Sequence, residues 1–409
     1  MDFGEVKEGS ARVRTAENAF YNPHMEFSRD FSSLAVAALD GALPDGAKLR
    51  ICDGMSATGI RGIRYAIENR NVEAVTFVDM DKAACELTAE NAKANGLQDF
   101  AALSSEPEKK STVQGGADGG RAPIFRVVED DINHHLYRGG EKFNFVELDP
   151  FGSPVPFIRS ALLNLRASKH GFLSVTATDT AVLCGAHQKA CIINYGARPL
   201  HTYFCHEAAV RVLAGHVVQV AAAMHLGIRP LFLLSKRHYV KGIFEVSKSA
   251  SAAYDSMMRL GYVSFCPKCL AIKTMTKPML PSICESCGAG GTGADGGSAP
   301  IWGGPMWLGE LHDKGVLERM QQANSERRYG NRVEIANTLL LMRQEMGMPA
   351  FYYDMHAVAD HFRAMPKPFD RIVAALQDKG YTVSRTHFNG LAIKTNAPAK
   401  DVADAITIQ

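Results

Sequence analysis

Short apolar runs alternate with amphipathic helical patterns through the first half of the chain. Several of these runs end in an acidic residue, and the stretches between them repeat apolar residues at the spacing of a helix. Such alternation is typical of βαβ units, which assemble a parallel sheet with helices on its faces. We therefore predict an α/β fold. The predicted strands cover 48–52, 74–78, 125–128, 143–148, 172–177, 230–234 and 243–246, and the predicted helices cover 60–68 and 82–95.

The last hundred residues show a different pattern. A helical pattern near 332–345 precedes strand-like runs around 381–384 and 391–394, which indicates a small α+β unit. We therefore predict two domains, an α/β domain over 1–250 and a second domain over 251–409.

Two segments are rich in glycine. Residues 101–123 contain four glycines between Gly115 and Gly120, and residues 288–304 contain eight. Both segments are polar and flexible in composition, so we predict surface insertions without helix or strand and without a function of their own.

Composition narrows the class of protein. Of the 409 residues, 46% are hydrophobic and 22% are charged, which excludes an acidic disordered chain. The 45 Lys and Arg residues nearly balance the 43 Asp and Glu residues, which excludes a histone-like tail protein. No apolar run approaches the roughly 18 residues of a membrane span, and the N-terminus has no leader pattern. Nine cysteines, an odd number, favour a reducing compartment. We expect a cytoplasmic protein, with a monomer as the default.

Positive charge is concentrated between Arg229 and Lys277. This stretch has nine basic residues and only two acidic ones, Glu245 and Asp255. A local excess of positive charge predicts contact with nucleic acid, and the alternative is an ordinary solvated face. The basic residues are Arg229, Lys236, Arg237, Lys241, Lys248, Arg259, Lys268, Lys273 and Lys277.

Acidic residues follow three successive strands. Asp53 ends the first strand and precedes a loop of small residues, 54–62, which lets the backbone approach a cofactor closely. Asp79 ends the second strand, where a carboxylate can accept hydrogen bonds from two ribose hydroxyls. The acidic run 129–131 follows the third strand, where a carboxylate can accept a hydrogen bond from an adenine amine. Taken singly, each residue is more often a cap or a turn, but their order predicts a nucleoside-containing cofactor. The loop lacks G-x-G-x-x-G, which disfavours a dinucleotide.

The motif Asp149-Pro150-Phe151-Gly152-Ser153-Pro154 follows the run 143–148, which has the character of a core strand. An acid, a proline and an aromatic in this order resemble the D-P-P-Y motif of amino-group methyltransferases. A base amine is a poor nucleophile because its lone pair is delocalised into the ring. A carboxylate and a carbonyl that accept its two hydrogens turn the lone pair toward a methyl donor and stabilise the developing positive charge. The alternative is a proline-rich turn.

Four cysteines form two pairs with equal gaps. Cys266 and Cys269 are followed after fourteen residues by Cys284 and Cys287. The spacing C-x2-C-x14-C-x2-C is typical of a tetrahedral zinc site, so we predict a structural Zn2+ on these thiolates. Disulfides or unliganded thiols are the alternatives. The other five cysteines lie in apolar context and are predicted to be core residues.

Several motifs together resemble one family. The chain is similar to the tRNA guanine-26 N2-dimethyltransferases, and the archaeal branch in particular. The similarity covers about residues 5–395. The residues that carry it are Phe20-Tyr21-Asn22-Pro23-His24-Met25, Ser28-Arg29-Asp30, Ser56 to Arg64, Asp149 to Pro154, Thr176-Ala177-Thr178-Asp179, Leu183-Cys184-Gly185-Ala186-His187 and Arg385-Thr386-His387-Phe388.

The resemblance implies an S-adenosylmethionine-dependent enzyme on a class I, Rossmann-like methyltransferase sheet, with a C-terminal α+β domain that binds tRNA. Such enzymes methylate the N2 amine of a guanine in tRNA, usually twice. By this resemblance, Asp149 and the Pro150 carbonyl accept hydrogen bonds from the guanine amine, and the rings of Phe151 and Phe20 stack on the two faces of the base.

The resemblance also implies a set of cofactor-binding residues. Arg29 and Arg61 are expected to hold the methionine part of the cofactor, with Arg61 preferred over Arg64 because it begins the helix. Asp79 is expected to bind the ribose. Asp131 and Ile132 are expected to bind the adenine.

Three other functions were compared with this one. A DNA or protein amino-group methyltransferase would use the same acid-proline-aromatic chemistry, but the basic stretch and the cysteine pairs favour RNA. A nucleotide-dependent dehydrogenase is disfavoured by the loop sequence. A non-catalytic RNA-binding protein is disfavoured by the intact Asp149-Pro150-Phe151.

Overall fold

The computed structural model describes residues 4–16, 20–100, 122–277, 282–290 and 299–407. The predicted insertion at 101–123 lies outside these ranges except for its last two residues. The centre of the segment 288–304 also lies outside them, but residues 301–304 belong to a strand. The prediction of a segment without strand was therefore wrong at its end.

The strands and helices of the described residues are numbered here along the chain. Two short 3-10 helices, Pro23–Met25 and Leu39–Ala42, accompany them. No helix among these residues has both the length and the apolar character that crossing a membrane requires. The strands are β1 (Glu5–Glu8), β2 (Ala11–Arg14), β3 (Leu49–Gly54), β4 (Val72–Asp79), β5 (Gln98–Asp99), β6 (Ile124–Glu129), β7 (Phe145–Leu148), β8 (Gly171–Ala177), β9 (Leu226–Lys236), β10 (Tyr239–Lys248), β11 (Leu260–Phe265), β12 (Ile272–Met275), β13 (Ile301–Trp307), β14 (Tyr353–Asp354), β15 (Val383–Arg385) and β16 (Ala392–Thr395). The α-helices are α1 (Glu26–Ala38), α2 (Ile60–Glu68), α3 (Lys82–Ala94), α4 (Ile132–Arg138), α5 (Val155–Leu165), α6 (Thr180–Leu183), α7 (Gln188–Tyr195), α8 (Cys205–Ala222), α9 (Ala250–Met257), α10 (Lys314–Glu326), α11 (Arg332–Gln344), α12 (Met355–His361), α13 (Phe369–Asp378) and α14 (Ala399–Ile406).

The main sheet has eight strands in the order β5-β6-β4-β3-β7-β8-β10-β9. Strand β3 pairs in parallel with β4 on one side and with β7 on the other, so that Gly54 stands opposite both Val78 and Leu148. The direction of the strand order therefore changes between β3 and β7. In an open parallel sheet, ligands bind in the crevice that forms at such a point, outside the carboxyl ends of the strands. The predicted α/β sheet is confirmed.

Local sequence explains where the first helices begin and end. Helix α2 covers the predicted 60–68 and begins after Gly59, whose positive φ of 74° suits glycine. Helix α3 begins after Asp81, whose carboxylate accepts the N–H of Ala84 at 2.9 Å. It ends before Gly96, which has a φ of +81° and closes the helix as its sequence predicted.

The described chain separates into two compact units, each made of three segments. Unit 1 consists of Met1–Thr176, Ile243–Lys248 and Asp313–Leu339, and unit 2 consists of Ala177–Gly242, Ser249–His312 and Leu340–Gln409. Unit 2 contains two small sheets of three strands, in the orders β12-β11-β13 and β14-β16-β15. The second sheet, with α12, α13 and α14, forms the predicted α+β part. The predicted domains, by contrast, are continuous stretches of chain.

Unit 1 encloses a network of charged side chains around Arg64. The guanidinium of this fully buried residue donates to Glu8 at 2.7 Å, to Asp30 at 2.6 Å and to Glu68 at 3.0 Å. Glu8 also accepts two hydrogen bonds from Arg29, at 2.7 and 2.6 Å. Buried charges are tolerated only when they are paired and hydrogen-bonded, so Arg64 keeps three carboxylates compatible with the interior.

We expect Arg64→Met to destabilise unit 1 strongly. The substitution keeps most of the side-chain volume but leaves Glu8, Asp30 and Glu68 without their shared cation, which for a buried pair costs about 3–5 kcal/mol. Urea unfolding followed by circular dichroism measures the loss. Arg14→Ala is the matched control, because Arg14 forms an ion pair with Glu90 in which both side chains are more than half exposed. Equal losses in the two variants would contradict this account of the network.

Candidate active site

The predicted cofactor residues follow neighbouring parallel strands. Strand β4 lies between β3 and β6, and Asp79 stands opposite Glu129 at the carboxyl ends of β4 and β6. Asp149 follows β7, on the other side of β3. The sheet therefore brings the ends of four strands to one edge, which includes the point between β3 and β7 where the strand order changes direction.

The loop after β3 has an unusual backbone. Met55 and Ala57 have positive φ values of 61° and 50°, which non-glycine residues rarely adopt and which concentrate at functional sites. The N–H groups of Met55 and Ser56 both donate to the carbonyl of Val78, at 2.8 and 3.2 Å. The hydroxyl of Ser56 is buried and has no hydrogen-bond partner among the described residues. An orphaned buried donor beside strained backbone fits a loop that binds a polar ligand.

Asp79 joins this loop to the end of β4. Its two carboxylate oxygens accept the N–H groups of Ala57, at 2.8 Å, and of Asp81, at 3.0 Å. Each carboxylate oxygen has a further lone pair, so these bonds orient the group and leave it able to accept from a ribose. The predicted ribose contact itself stays a prediction.

The residues predicted at the adenine lie at the start of α4. The carboxylate of Asp131 caps this helix by accepting the N–H of His134 at 3.0 Å. Ile132 is buried, and a Cβ at Gly54 would come within 2.9 Å of its side chain. Glycine at the end of β3 therefore lets Ile132 pack against the sheet edge. Their contact with adenine stays a prediction.

Arg61 connects the cofactor loop to the acidic motif. Its guanidinium donates a short hydrogen bond to the carboxylate of Asp149, and another to the Ser32 hydroxyl at 3.3 Å. Its Nε lies 4.0 Å from Oε1 of Glu147, whose other oxygen accepts the hydroxyl of Tyr65 at 2.8 Å. The side chain of Arg61 is 6% exposed and that of Asp149 is 24% exposed. Asp149 therefore accepts a hydrogen bond from a buried guanidinium, while part of its side chain is exposed to solvent.

The charges around Arg61 change the acidity of their neighbours. Burial, followed by repulsion from Glu147, raises the pKa of Asp53 to about 8, although the N–H of Gly62 donates to its carboxylate at 2.9 Å. Burial alone would lower the pKa of Arg61, but the charges of Asp149 and Glu147 outweigh it and raise that pKa. Arg61 therefore stays charged, and Asp53 is the carboxyl that holds a proton near neutral pH.

Arg29 lies in a different environment from Arg61. Its guanidinium is bound by Glu8 and by the carbonyl of Asn22 at 3.0 Å, and it lies 5.1 Å from the centre of the Tyr21 ring. Arg64 is surrounded by carboxylates within the interior. Of the arginines on α2, Arg61 is the one that contacts Asp149. A contact of Arg29 or Arg61 with the cofactor stays a prediction.

The two aromatic rings predicted to hold the base contact each other. The ring centres of Phe20 and Phe151 are 4.5 Å apart with planes inclined at 80°. Their exposed fractions, 53% and 75%, are large for such side chains. An edge-to-face pair at this distance leaves no room for a base between the rings. A sandwich therefore requires the rings to move apart, and it stays a prediction.

The comparisons with known proteins agree with this geometry. Residues 4–407 match the model of the N2,N2-dimethylguanosine tRNA methyltransferases. The chain belongs to this family. The tRNA (guanine(26)-N(2))-dimethyltransferase of Methanospirillum hungatei JF-1 is 36% identical to this family member over 390 residues, which are 95% of this chain and 91% of that protein. The protein of the same name from Thermococcus kodakarensis is 33% identical over 413 residues, 99% of each chain.

A solved structure extends the match to the whole fold. The structure of Trm1 from Pyrococcus horikoshii in complex with S-adenosyl-L-methionine is similar to this member of the tRNA methyltransferase family with a TM-score of 0.82 at 30% identity. The match covers 99% of this chain and 100% of that chain. The family and the class I methyltransferase fold expected from the sequence motifs are thus confirmed.

Sequence reasoning missed two residues of the site in this family member. The run 143–148 was interpreted as a strand of core character, yet its fifth residue, Glu147, is a fully buried acid. Tyr65, its hydrogen-bond partner, was not singled out within the helix. An acidic residue inside an otherwise apolar strand was the available signal, because a buried carboxylate needs a partner.

The four paired cysteines of this family member meet in unit 2. The Sγ atoms of Cys266 and Cys287 are 3.7 Å apart, and those of Cys269 and Cys284 are 3.6 Å apart. A disulfide requires about 2.05 Å, whereas thiolates on zinc at about 2.3 Å are about 3.8 Å apart in a tetrahedron. The thiol positions therefore fit a zinc ion and exclude disulfides.

The two cysteine turns share one backbone design. The N–H of Leu270 donates to the carbonyl of Cys266 at 2.9 Å, and the N–H of Gly288 donates to that of Cys284 at 2.8 Å. Leu270 and Gly288 both have positive φ, 60° and 69°. Each turn points two thiols to one side, which is the arrangement that a metal requires.

Most basic residues of the stretch 229–277 are exposed. Seven of its nine basic residues are exposed and Lys236 is half-buried. Lys241 is buried, with 1% of its surface exposed, so its inclusion among candidate phosphate contacts was wrong. Lys273 is also paired with Glu285 at 2.6 Å. The expected role of the other residues in binding nucleic acid stays a prediction.

We expect Asp53→Asn to change how stability depends on pH. The pKa of Asp53 is about 8 in the folded protein and near its ordinary 3.8 when unfolded. Between these values the folded state holds a proton that the unfolded state has released. The contribution of Asp53 is therefore complete below about pH 4 and is lost as pH rises toward 8, by up to about 1.4 kcal/mol per pH unit. Asparagine keeps an oxygen for the Gly62 N–H and has no proton to lose.

Urea unfolding of both proteins between about pH 5 and pH 8 measures this difference. The variant should gain stability relative to the native protein as the pH rises. Asp45→Asn, at an exposed acid, is the control and should give a constant difference. A constant difference for Asp53→Asn as well would refute the raised pKa.

Proposed function

We propose that this chain transfers methyl groups from S-adenosylmethionine to the N2 amine of a guanine in tRNA, with guanine-26 as the expected target and dimethylation as the expected outcome. Membership of the family, the names of its relatives and the bound S-adenosyl-L-methionine in the similar Pyrococcus structure support this function. The observation that carries it here is the position of Asp149. This carboxylate is partly exposed beside the strained loop 55–59, at the point where the strand order of the sheet changes direction.

Asp149 is the proposed catalytic residue. When bound, S-adenosylmethionine supplies an electrophilic methyl group. A carboxylate oxygen of Asp149 accepts one hydrogen of the guanine amine, and the carbonyl of Pro150 accepts the other. These two bonds turn the nitrogen lone pair out of the ring plane and strengthen as the nitrogen becomes positive. After the methyl group has been added, the amine would lose one proton through the Asp149 carboxylate that accepts from it, and the proton would pass on to solvent.

Arg61 is proposed to position Asp149 as well as to contact the methionine part of the cofactor. Its hydrogen bond to Asp149 keeps the carboxylate ionised and fixes its orientation before the guanine arrives. The nitrogen that donates the longer bond, 3.3 Å to the Ser32 hydroxyl, is the one proposed to turn to the cofactor carboxylate. Arg29, held against Glu8, is the second proposed contact to that carboxylate.

The remaining proposed contacts follow the strand ends. Asp79 accepts from the ribose hydroxyls, and Asp131 with Ile132 lies at the adenine. Phe151 and Phe20 stack on the guanine after it leaves its own stack, a movement that costs a few kcal/mol. Stacking on an aromatic ring returns about 1–3 kcal/mol.

We also propose one structural Zn2+ on Cys266, Cys269, Cys284 and Cys287. The Sγ distances of 3.6 and 3.7 Å and the matching turns support it. Four thiolates leave no open position on the metal, so the ion stabilises its part of unit 2 and takes no part in methyl transfer. The C-terminal α+β part and the exposed residues of the basic stretch are the proposed tRNA contacts. The substrate class and the odd number of cysteines favour the cytoplasm, with a monomer as the default.

We expect Asp149→Ala to lower single-turnover methylation of tRNA by about 10²–10³-fold, because it removes a group that stabilises charge in the transition state. Binding of tRNA and of S-adenosylmethionine should persist. Asp149→Asn keeps an acceptor oxygen without the charge, so its methylation rate should lie between those of the native protein and Asp149→Ala. Mass spectrometry of nucleosides from tRNA treated with labelled cofactor measures the product.

Asp40→Ala, at an exposed acid, is the matched control and should keep the native rate. A DNA oligonucleotide and a protein mixture serve as alternative substrates in the same assay. Near-native methylation by folded Asp149→Ala would disprove the role of this residue, and methylation of DNA or protein in preference to tRNA would overturn the proposed substrate.

For the cysteine quartet, we expect Cys266→Ser/Cys287→Ser to lose one zinc per chain and to lower the thermal stability of unit 2. Serine is a poor zinc ligand of similar size, so the loss isolates the metal contact. Elemental analysis of protein prepared with zinc under reducing conditions counts the metal. Cys52→Ser serves as the control, since Cys52 is a buried thiol outside any cysteine cluster. An unchanged zinc content in the quartet variant would refute this site.

A further inference from the structure

A second group of metal-ligating side chains lies in unit 2, outside the cysteine quartet. Cys184 follows α6, while Cys205 and His206 are the first two residues of α8. One ligand atom from each of the three residues lies within 4.8 Å of the other two. The proposed methyl transfer uses none of them, and their sequence positions, 21 residues apart, gave no sign of a shared site.

Two distances at His206 match the edges of a coordination tetrahedron. The Nδ1 atom of His206 lies 3.8 Å from the Sγ of Cys184 and 3.4 Å from the hydroxyl of Ser235 in β9. With Zn–S at about 2.3 Å and Zn–N or Zn–O at about 2.0–2.1 Å, a tetrahedral ion separates sulfur from nitrogen by about 3.6 Å and nitrogen from oxygen by about 3.4 Å. The 3.4 Å contact is too long for a normal hydrogen bond. The imidazole nitrogen therefore has no strong partner in this group, although it is surrounded by possible ligands.

The backbone holds these side chains in place. The N–H of Cys184 donates to the carbonyl of Thr180 at 2.8 Å, and its own carbonyl lies 3.2 Å from Nδ1 of His201. Gly185, with a φ of +93°, packs so closely that a Cβ at this position would lie 2.8 Å from the backbone nitrogen of His201. The ligand atoms of Cys184, Cys205 and His206 are thus carried by fixed elements, while their residues remain half-buried and open to an entering ion. A metal site requires both properties.

We propose that Cys184, Cys205 and His206 form a second Zn2+ site, with Ser235 or a water molecule in the fourth position. Two thiolates and an imidazole are the donor set that selects zinc over Mg2+ or Ca2+. Binding converts two thiols to thiolates, so it releases two protons and involves no oxidation or reduction. The ion joins the end of α6, the start of α8 and strand β9. Unlike the quartet, this site has only three strong ligands, and its ion exchanges more readily.

Elemental analysis and cobalt substitution test the proposal, independently of methyltransferase activity. Protein prepared with zinc under reducing conditions should contain two zinc ions per chain. Cys184→Ser/Cys205→Ser should contain one, held by the quartet, and Cys266→Ser/Cys287→Ser should contain one, held by the new site. Cys191→Ala, at a buried cysteine outside both groups, is the control and should contain two.

Cobalt(II) added to the metal-free quartet variant gives a second readout. A thiolate-to-cobalt absorption band should appear at one equivalent and should be lost in His206→Ala on the same background. If Cys184→Ser/Cys205→Ser does not fold, the quartet variant alone decides the question. The proposal would be overturned if the quartet variant folds but contains no zinc and gives no cobalt band. It would also be overturned if Cys184→Ser/Cys205→Ser contains as much zinc as the native protein. A disulfide between Cys184 and Cys205 in the reduced preparation, detected by mass spectrometry, would also overturn it.

Discussion

Carboxylates buried in unit 1 need a cation, and helix α2 supplies it twice. Arg61 and Arg64 are three residues apart, so they lie on neighbouring parts of one helix face. Arg64 neutralises Glu8, Asp30 and Glu68, while Arg61 meets Asp149 and Glu147. An unpaired buried charge is far more costly than the pair. The position of α2 against β3 and β7 therefore determines both the folding of this unit and the orientation of the acidic group in the site.

The same constraint divides the acids of the site into two kinds. Asp149 is in direct contact with the Arg61 guanidinium and is partly exposed, which a group that receives a substrate amine requires. Asp53 is wholly buried, accepts a backbone N–H and holds a proton up to about pH 8. Two carboxyls at the ends of adjacent strands thus lie in different environments, because Asp53 is buried beside Glu147 whereas Asp149 is partly exposed and bonded to Arg61.

The cysteine turns show how far local sequence determines a cluster of four thiols. A two-residue gap between cysteines gives a turn that presents both thiols, and the pair of turns in unit 2 repeats the same hydrogen bonds with leucine at one position and glycine at the other. Spacing was enough to predict that these four thiols lie together. The group of Cys184, Cys205 and His206 has no such spacing, since its ligands come from α6 and α8 and only the packing of unit 2 brings them together.

The sequence by itself determined seven of the eight strands of the main sheet and the edge of the sheet that carries the candidate site. Helix α2 has the predicted bounds, and Asp53, Asp79 and Asp149 were recognised because an acid at the end of an apolar run has a local signal. Tertiary structure alone decided which carboxylates pair with the arginines, Glu8 with Arg29 and Asp149 with Arg61. It likewise decided that Lys241 is buried. It also decided that Asp313–Leu339 belongs with the N-terminal segments in unit 1. Periodicity records which face of an element is apolar, but the partner of a charged side chain depends on contacts between residues distant in the chain, and these exist only once the elements have packed.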